Sequence, residues 1–142
     1  MSEITQTGST KKAGGARRGP SSAFDSDEAS PVINVQVSSP GKGSRVLRVT
    51  GEIDMLTAPM LDSMLEGQLQ SVPDVLVLDL HEVDFMSSAG LAFLVTAREQ
   101  ADAAGTALRL VATGDPVLRP LTVTGLATIF EIHPDLEAAL AN

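Results

Sequence analysis

The most regular pattern of apolar positions lies in the middle of the chain, over residues 75–105. Residues 75–80 are almost all apolar and rich in valine and leucine, and the run is too short for an ordinary helix. It therefore predicts a strand covered on both faces. After a polar break at residues 81–84, apolar residues recur at helical spacing from Leu91, and Gly105 supplies a stop. The pattern predicts a strand, a turn and a helix.

Weaker patterns on both sides predict the remaining elements. Apolar and polar residues alternate over residues 33–37, and a short apolar segment over 45–50 would pair with them as an antiparallel hairpin. Helical spacing follows over residues 60–69. The last part of the chain reads as a strand at 106–112, a helix, an edge segment at 125–130 and a closing helix at 133–140. This order predicts an α/β fold with a mixed sheet of four to five strands and helices packed mainly on one face.

Five residues mark expected boundaries. Gly51 permits a sharp turn after the second strand. Thr57 and Asp115 are candidate helix N-caps, and Pro116 suits a first helical turn. Pro120 would lie inside the helix, where it removes a backbone hydrogen bond, so we expect a kink or a short irregular turn there.

Composition limits the size and the location of the folded part. A chain of 142 residues with 43% hydrophobic residues fits one domain with a core. Glycine, serine and charged residues dominate the start without a sustained period, so we predict a disordered tail over 1–30 and one domain over 31–142. Without cysteine there is no disulfide and no thiolate metal site. No apolar stretch reaches the roughly 18 residues that span a bilayer, so we expect a cytoplasmic protein without membrane contact.

The charge balance argues against nucleic acid as a direct partner. The formal net charge is −8, from 18 acidic and 10 basic residues. The predicted tail holds four residues of each sign, so the excess acid lies in residues 31–142. Such a domain repels phosphate backbones.

Ser87 and Ser88 stand where the central helix begins, and two interpretations of them are open. One serine could simply cap the helix by accepting a hydrogen bond from an unpaired N–H group. Alternatively, a serine beside the small residues Ala89 and Gly90 could accept a phosphoryl group. The phosphate would meet free N–H groups and the positive end of the helix dipole, and would add about −1.5 to −2 charge units without unfolding the domain.

The segment DFMSSAGLAFL, residues 84–94, resembles the phosphorylation loop and following helix of anti-sigma factor antagonists, which are bacterial STAS domain proteins. Laying Gly90 and Leu91 on the family's glycine and leucine places the phosphoacceptor at Ser88. Ser87 then falls where the family usually has aspartate, and Ala89 where it usually has a second hydroxyl residue. Ser87 is therefore the alternative acceptor.

A second segment, GEIDMLTAPML at residues 51–61, resembles the family's Gly-Glu-Leu/Ile-Asp turn with its Thr-Ala segment and amphipathic helix. A third, GLATIF at 125–130, resembles the family's edge segment. The resemblance covers about residues 31–142 and implies a STAS-like fold. It also implies a partner-binding surface formed by Asp54, Thr57, Met86, Ser87, Ala89, Gly90 and Leu91.

The resemblance implies a switch that works by binding. The unphosphorylated protein would dock onto an ATP-binding anti-sigma factor that is also its serine kinase, and so free a sigma factor. Phosphorylation of Ser88 would switch binding off, and a protein phosphatase would restore it. The alternative is a STAS partner-binding or ligand-binding module that serine phosphorylation does not control.

An enzyme is a third hypothesis, which the residues do not favour. The chain has two histidines, no G-x-S-x-G segment, no Walker loop and no His/acid spacing typical of a metal site. We therefore expect no catalytic activity, no cofactor and no metal.

Overall fold

The computed structural model describes residues 2–3 and 33–141 and shows an α/β architecture. Its strands are β1 (Ser2–Glu3), β2 (Ile33–Ser39), β3 (Ser44–Ile53), β4 (Val75–Met86), β5 (Ala107–Val111) and β6 (Glu131–His133). Its α-helices are α1 (Ala58–Leu69), α2 (Ser88–Ala104), α3 (Asp115–Val123) and α4 (Leu136–Leu140). A 3-10 helix, Leu126–Ile129, lies between α3 and β6.

The strands form one mixed sheet in the order β1-β2-β3-β4-β5-β6. β2 pairs with β3 in antiparallel fashion, which confirms the predicted hairpin. From β3 to β6 every neighbouring pair is parallel, and helical connections join the parallel strands. The predicted mixed sheet is therefore confirmed, with five strands in residues 33–141 and the two-residue β1 added at its edge.

The helices cover the two faces of the sheet unequally, as predicted. Helices α1, α2 and α3 bury apolar side chains such as Leu65, Leu94 and Leu121 in the main core on one face. On the other face, α4 packs Ala139 into a small cluster that includes Val77. Full burial of each leucine contributes about 1.5–3 kcal/mol, so the main core holds the helices firmly on the sheet.

Strand β4 is longer than predicted. The turn predicted between the strand and the serines is wrong, since those residues continue the strand. The strand has 12 residues and runs on through residues 81–86. Its register with β3 shifts twice between residues 79 and 85, each time with one extra residue on β4. As a result, the buried positions after Leu80 are Val83 and Met86, three residues apart. Such bulges break the period of two on which recognition of a strand depends.

Three boundary predictions need correction. Gly51 lies within β3 at a φ of 115° and permits an irregularity in the strand, because β3 continues to pair with β4 as far as Ile53. Thr57 occupies the N-cap position of α1 but makes no capping bond to the helix. Asp115 is not the cap of α3 but its first residue, after Gly114, where the helix dipole favours an acidic side chain.

The expected irregularity at Pro120 does not interrupt α3. The helix continues through Pro120 and ends at Val123, three residues later. Because Pro120 has no N–H group, it cannot donate to the carbonyl of Pro116 one turn earlier. A short helix with this missing bond is held by the core through Val117 and Leu121, which are buried.

Most of the predicted tail lies outside the described residues, so its disorder stays a prediction. Within residues 1–30, only the backbone of Ser2–Glu3 is described, and it pairs with Ser38 and Ser39 at the edge of the sheet.

Candidate functional site

The two segments 51–61 and 84–94, distant in sequence, meet at one edge of the sheet. Because β3 and β4 are parallel, their carboxyl ends lie side by side, with Ile53 opposite Met86. The N–H group of Ser87 donates to the carbonyl of Ile53 at 2.9 Å. This bond fixes the turn after β3 beside the start of α2. We call residues 53–57 and 85–91 together the serine edge.

The two serines at this edge have different environments. Ser87 is the N-cap of α2, with an extended backbone, and its Oγ accepts a hydrogen bond from the Ala89 N–H group at 3.1 Å. Ser88 is the first helical residue and is exposed. The capping role predicted for one of the serines therefore belongs to Ser87. The side chain of Ser88 is exposed and takes no part in the capping bond.

Gly90 allows α2 to begin this close to β3. A Cβ atom at this position would lie 2.7 Å from Cγ of Met86 and 3.1 Å from both Cγ2 and the carbonyl oxygen of Ile53. These distances are shorter than a side chain tolerates without movement of its neighbours. The glycine is therefore required by close packing, and it sets the position of Ser88 relative to β3.

The turn after β3 is tied together by Asp54 and Thr57. The Asp54 carboxylate accepts from the N–H groups of Leu56, at 2.9 Å, and Thr57, at 3.1 Å. The Thr57 hydroxyl donates to the carbonyl of Glu52 and accepts from the Asp54 N–H group, both at 2.9 Å. Asp54 is thus held in a defined orientation at the surface, and the buried Thr57 acts as the support of the turn.

The predicted partner-binding residues divide by exposure. Thr57, Met86 and Gly90 are buried and shape the serine edge from beneath. The remaining four are partly exposed, so a partner could touch them: Asp54, Ser87, Ala89 and Leu91. The structure brings all seven together at the serine edge, and their role in binding stays a prediction.

The serine edge carries three exposed apolar side chains, which the sequence reasoning missed. Met55 and Leu56, in the turn after β3, are 74% and 63% exposed, and Phe85, just before the serines, is 49% exposed. An apolar pair between Asp54 and Thr57, where a turn is usually polar, was the available signal. Large exposed apolar side chains that lie together are typical of a surface that binds a partner.

A groove continues the serine edge on the side of α3. It has a volume of about 550 Å³ and is lined by residues 84–86, at the end of β4, and by Asp115, Pro116, Arg119, Pro120 and Val123 of α3. We call it the β4–α3 groove. Its walls are mainly apolar, and Val123, on the α3 wall, is 76% exposed.

Acidic residues lie within and directly before the two segments that form the serine edge. Glu52 and Asp84 are exposed and Asp54 is partly exposed. A further negative charge on Ser88 would therefore join a surface that is already acidic.

Away from the serine edge, one carboxyl group of α1 has a perturbed affinity for protons. Burial, and secondarily the negative charge of Glu66, raise the pKa of Asp62 above its usual value of 3.8. Its Oδ1 atom is buried and has no hydrogen-bond partner among the described residues. The ionised form is thus poorly accommodated at this position.

Two other kinds of feature are absent from the described part of the chain. Residues 33–141 contain no group of three or more histidine, aspartate or glutamate side chains arranged to hold a metal ion. Within the same residues, no helix is both long and apolar enough to cross a bilayer.

Comparison with known sequences identifies relatives over most of the chain. The model of the STAS domain family matches residues 34–139. The anti-sigma-F factor antagonist RsfB of Mycobacterium tuberculosis is 34% identical over 102 residues, which are 70% of this chain and 81% of that protein. An anti-sigma-B factor antagonist of Listeria monocytogenes is 38% identical over 84 residues, which are 59% of this chain and 74% of that protein.

Comparison with solved structures agrees. The crystal structure of an anti-sigma factor antagonist from Mycobacterium paratuberculosis superposes with a TM-score of 0.69 at 36% sequence identity. The match covers 76% of this chain and 91% of that protein. The residues matched by the family model, 34–139, include both segments of the serine edge.

Proposed function

The chain belongs to the STAS domain family, and we propose that it is an anti-sigma factor antagonist that phosphorylation of Ser88 switches off. The observation that carries this proposal is the different environment of the two serines. Ser87 makes the capping bond to Ala89, whereas the exposed Ser88 places its hydroxyl at the surface. The relatives named as anti-sigma factor antagonists support the assignment.

The unphosphorylated chain docks through the serine edge onto an anti-sigma factor of the ATP-binding type, and thereby frees a sigma factor in the cytoplasm. The exposed Met55, Leu56 and Phe85 supply apolar area for this contact. Burial of such side chains at an interface contributes about 25 cal/mol per Å² of apolar surface, before the costs of association are subtracted.

The same anti-sigma factor acts as a serine kinase. The γ-phosphoryl group of ATP passes to Oγ of Ser88, ADP leaves, and the hydroxyl proton goes to a base of the kinase. A protein phosphatase hydrolyses the ester and restores the docking form. The chain is the substrate in both steps and supplies no catalytic group.

Phosphate on Ser88 weakens docking through charge while the fold remains. It adds about −1.5 to −2 charge units to an edge whose two segments already include or follow Glu52, Asp54 and Asp84, and the partner would have to desolvate this charge. Within the domain, the phosphate stands at the N-terminus of the 17-residue helix α2, where the helix dipole stabilises an anion. Phosphate on Ser87 would instead modify the oxygen that caps the helix.

The test is mass spectrometry of the chain recovered from its native cells, with Ser88→Ala and Ser87→Ala variants expressed in the same way. We expect one added phosphate that maps to Ser88, persists in Ser87→Ala and disappears in Ser88→Ala. Phosphate on Ser87 would make the alternative acceptor correct. If no phosphate appears during growth or stress and Ser88→Ala behaves as the natural chain, the protein is a binding module without this control.

A further inference from the structure

The β4–α3 groove has no part in the phosphorylation of Ser88, but it adjoins the serine edge. We propose that it receives one bulky apolar side chain of the anti-sigma factor, accompanied by a positively charged side chain. This inference rests on the proposed function, because it states how the same partner is recognised.

The shape of the groove fits an apolar anchor. It is a shallow depression, largely open to solvent, with a volume of about 550 Å³, which leaves room for one bulky side chain. Phe85 is 49% exposed and Val123 is 76% exposed, so two large apolar side chains on opposite walls remain in contact with water. Insertion of an apolar side chain between them would remove this area from water, which is how the dominant contacts of many interfaces arise.

The charges of the groove favour a positively charged neighbour for that anchor. Asp84 and Asp115 contribute two carboxylates to the lining and Arg119 one guanidinium group, which leaves one net negative charge. The whole chain carries a formal net charge of −8, so its long-range field also attracts a basic surface.

The groove is continuous with the serine edge, so one partner can cover both. Met86 lines the groove and also packs against Gly90, at the start of α2. Phe85 precedes Ser88 by three residues. In this arrangement the groove contributes affinity and selects the partner, whereas Ser88 contributes the switch.

The first test uses the full unphosphorylated chain and a small probe, 2-phenylethylammonium, which carries an aromatic ring next to a positive charge. Its neutral and anionic analogues, 2-phenylethanol and 3-phenylpropionate, serve as comparison. In a titration followed by two-dimensional NMR, we expect the amide signals of Phe85 and Val123 to shift, most with the cation and least with the anion. Shifts spread over the whole surface, or equal shifts with the anion, would overturn the inference.

Matched variants locate the binding. Phe85→Ser and Val123→Ser each remove one wall of the groove and should abolish the shifts. Val72→Ser is the control, because Val72 is 57% exposed but precedes the amino end of β4, opposite the serine edge. Loss of probe binding in Val72→Ser, or full binding in Phe85→Ser, would contradict the location.

The second test measures affinity for the purified cognate anti-sigma factor by calorimetry. We expect Phe85→Ser and Val123→Ser to weaken binding by about tenfold each, as loss of a dominant interface contact does, and Val72→Ser to bind as the natural chain. If phosphate maps to Ser88 but the groove variants bind the anti-sigma factor with unchanged affinity, the proposal for the groove is refuted and the switch at Ser88 stands. An unphosphorylated Ser88 would refute the switch, whatever the probe does.

Discussion

Replacement of Gly90 by alanine should destabilise the domain, although alanine is the better helix former. In an open helix the substitution favours folding by up to about 1 kcal/mol. At Gly90 the new Cβ atom would lie 2.7 Å from Cγ of Met86 and 3.1 Å from the carbonyl oxygen of Ile53. Overpacking of this kind costs about 1–3 kcal/mol. The difference is a net loss of about 1 kcal/mol in the free energy of unfolding.

The contact with the Ile53 carbonyl decides whether Gly90→Ala lowers or raises the free energy of unfolding. Met86 can change its side-chain conformation, but the Ile53 carbonyl is held by the Ser87 N–H group at 2.9 Å. Relief of the contact therefore requires α2 to move away from β3. Such a movement would shift the hydroxyl of Ser88 at the same time.

Gly67 in α1 offers a matched control within the chain. A Cβ atom there has no neighbour within 4 Å, so Gly67→Ala should raise the free energy of unfolding by up to about 1 kcal/mol. With a urea dependence of about 2 kcal/mol per molar, the unfolding midpoints of the two variants should differ by about 1 M. If Gly90→Ala is stabilised as much as Gly67→Ala, the close packing at the start of α2 is not what requires the glycine.

Three further predictions concern stability, each measured by urea unfolding. Ser87→Ala removes the N-cap of α2 and should cost about 1 kcal/mol, whereas Ser88→Ala should cost little; equal losses would contradict the assignment of the cap. Because the pKa of Asp62 is raised in the folded state, the stability of the natural chain falls as pH rises from 3.8 through that raised pKa. Asp62→Asn should therefore be more stable than the natural chain at pH 7, and this advantage should vanish below pH 3.8; an advantage that is independent of pH would refute the cause. Val72 adopts a φ of 49°, which suits asparagine better than a β-branched residue, so Val72→Asn should stabilise the domain by about 1 kcal/mol, and a loss of stability would refute the strain.

The periodic elements were predictable because the core imposes a regular pattern. Leu76 and Leu78 are fully buried in β4. In α2, Leu94 is buried, and Leu91 and Val95 pack partly buried against the core, as their helical spacing indicates. Strand β2 follows from the alternation over residues 33–37, and its pairing with the adjacent segment 45–50 gives the hairpin. In these segments the burial of each residue follows from its position in a single strand or helix, so the local pattern is sufficient to predict it.

The strand prediction failed where the pairing of β3 with β4 contains bulges. The second half of β4 buries Val83 and Met86 at a spacing of three, because its register with β3 shifts twice. The position of the extra residues depends on β3, about 30 residues earlier, so a local pattern cannot show it. Thr57 failed as a cap for a different, local reason: its hydroxyl bonds to Glu52 and Asp54 in the preceding turn and not to the helix.

At the serine edge, the sequence indicated the candidate residues but not which serine caps the helix and which is exposed. Both serines precede the same helix, and only the geometry shows that Ser87 makes the capping bond. The β4–α3 groove was not predictable, because its two walls, Phe85 and Val123, come from elements that touch only in the folded domain.

The central claim is that phosphate on Ser88 changes binding and leaves the fold intact. The most direct test compares the unphosphorylated chain with the chain phosphorylated on Ser88 alone, by calorimetric titration with the cognate anti-sigma factor and by thermal unfolding of each form. We expect binding to weaken by about 100-fold or more, equivalent to about 2.7 kcal/mol, while the unfolding temperature stays within a few degrees. Equal affinities of the two forms, or unfolding of the phosphorylated chain, would contradict the claim.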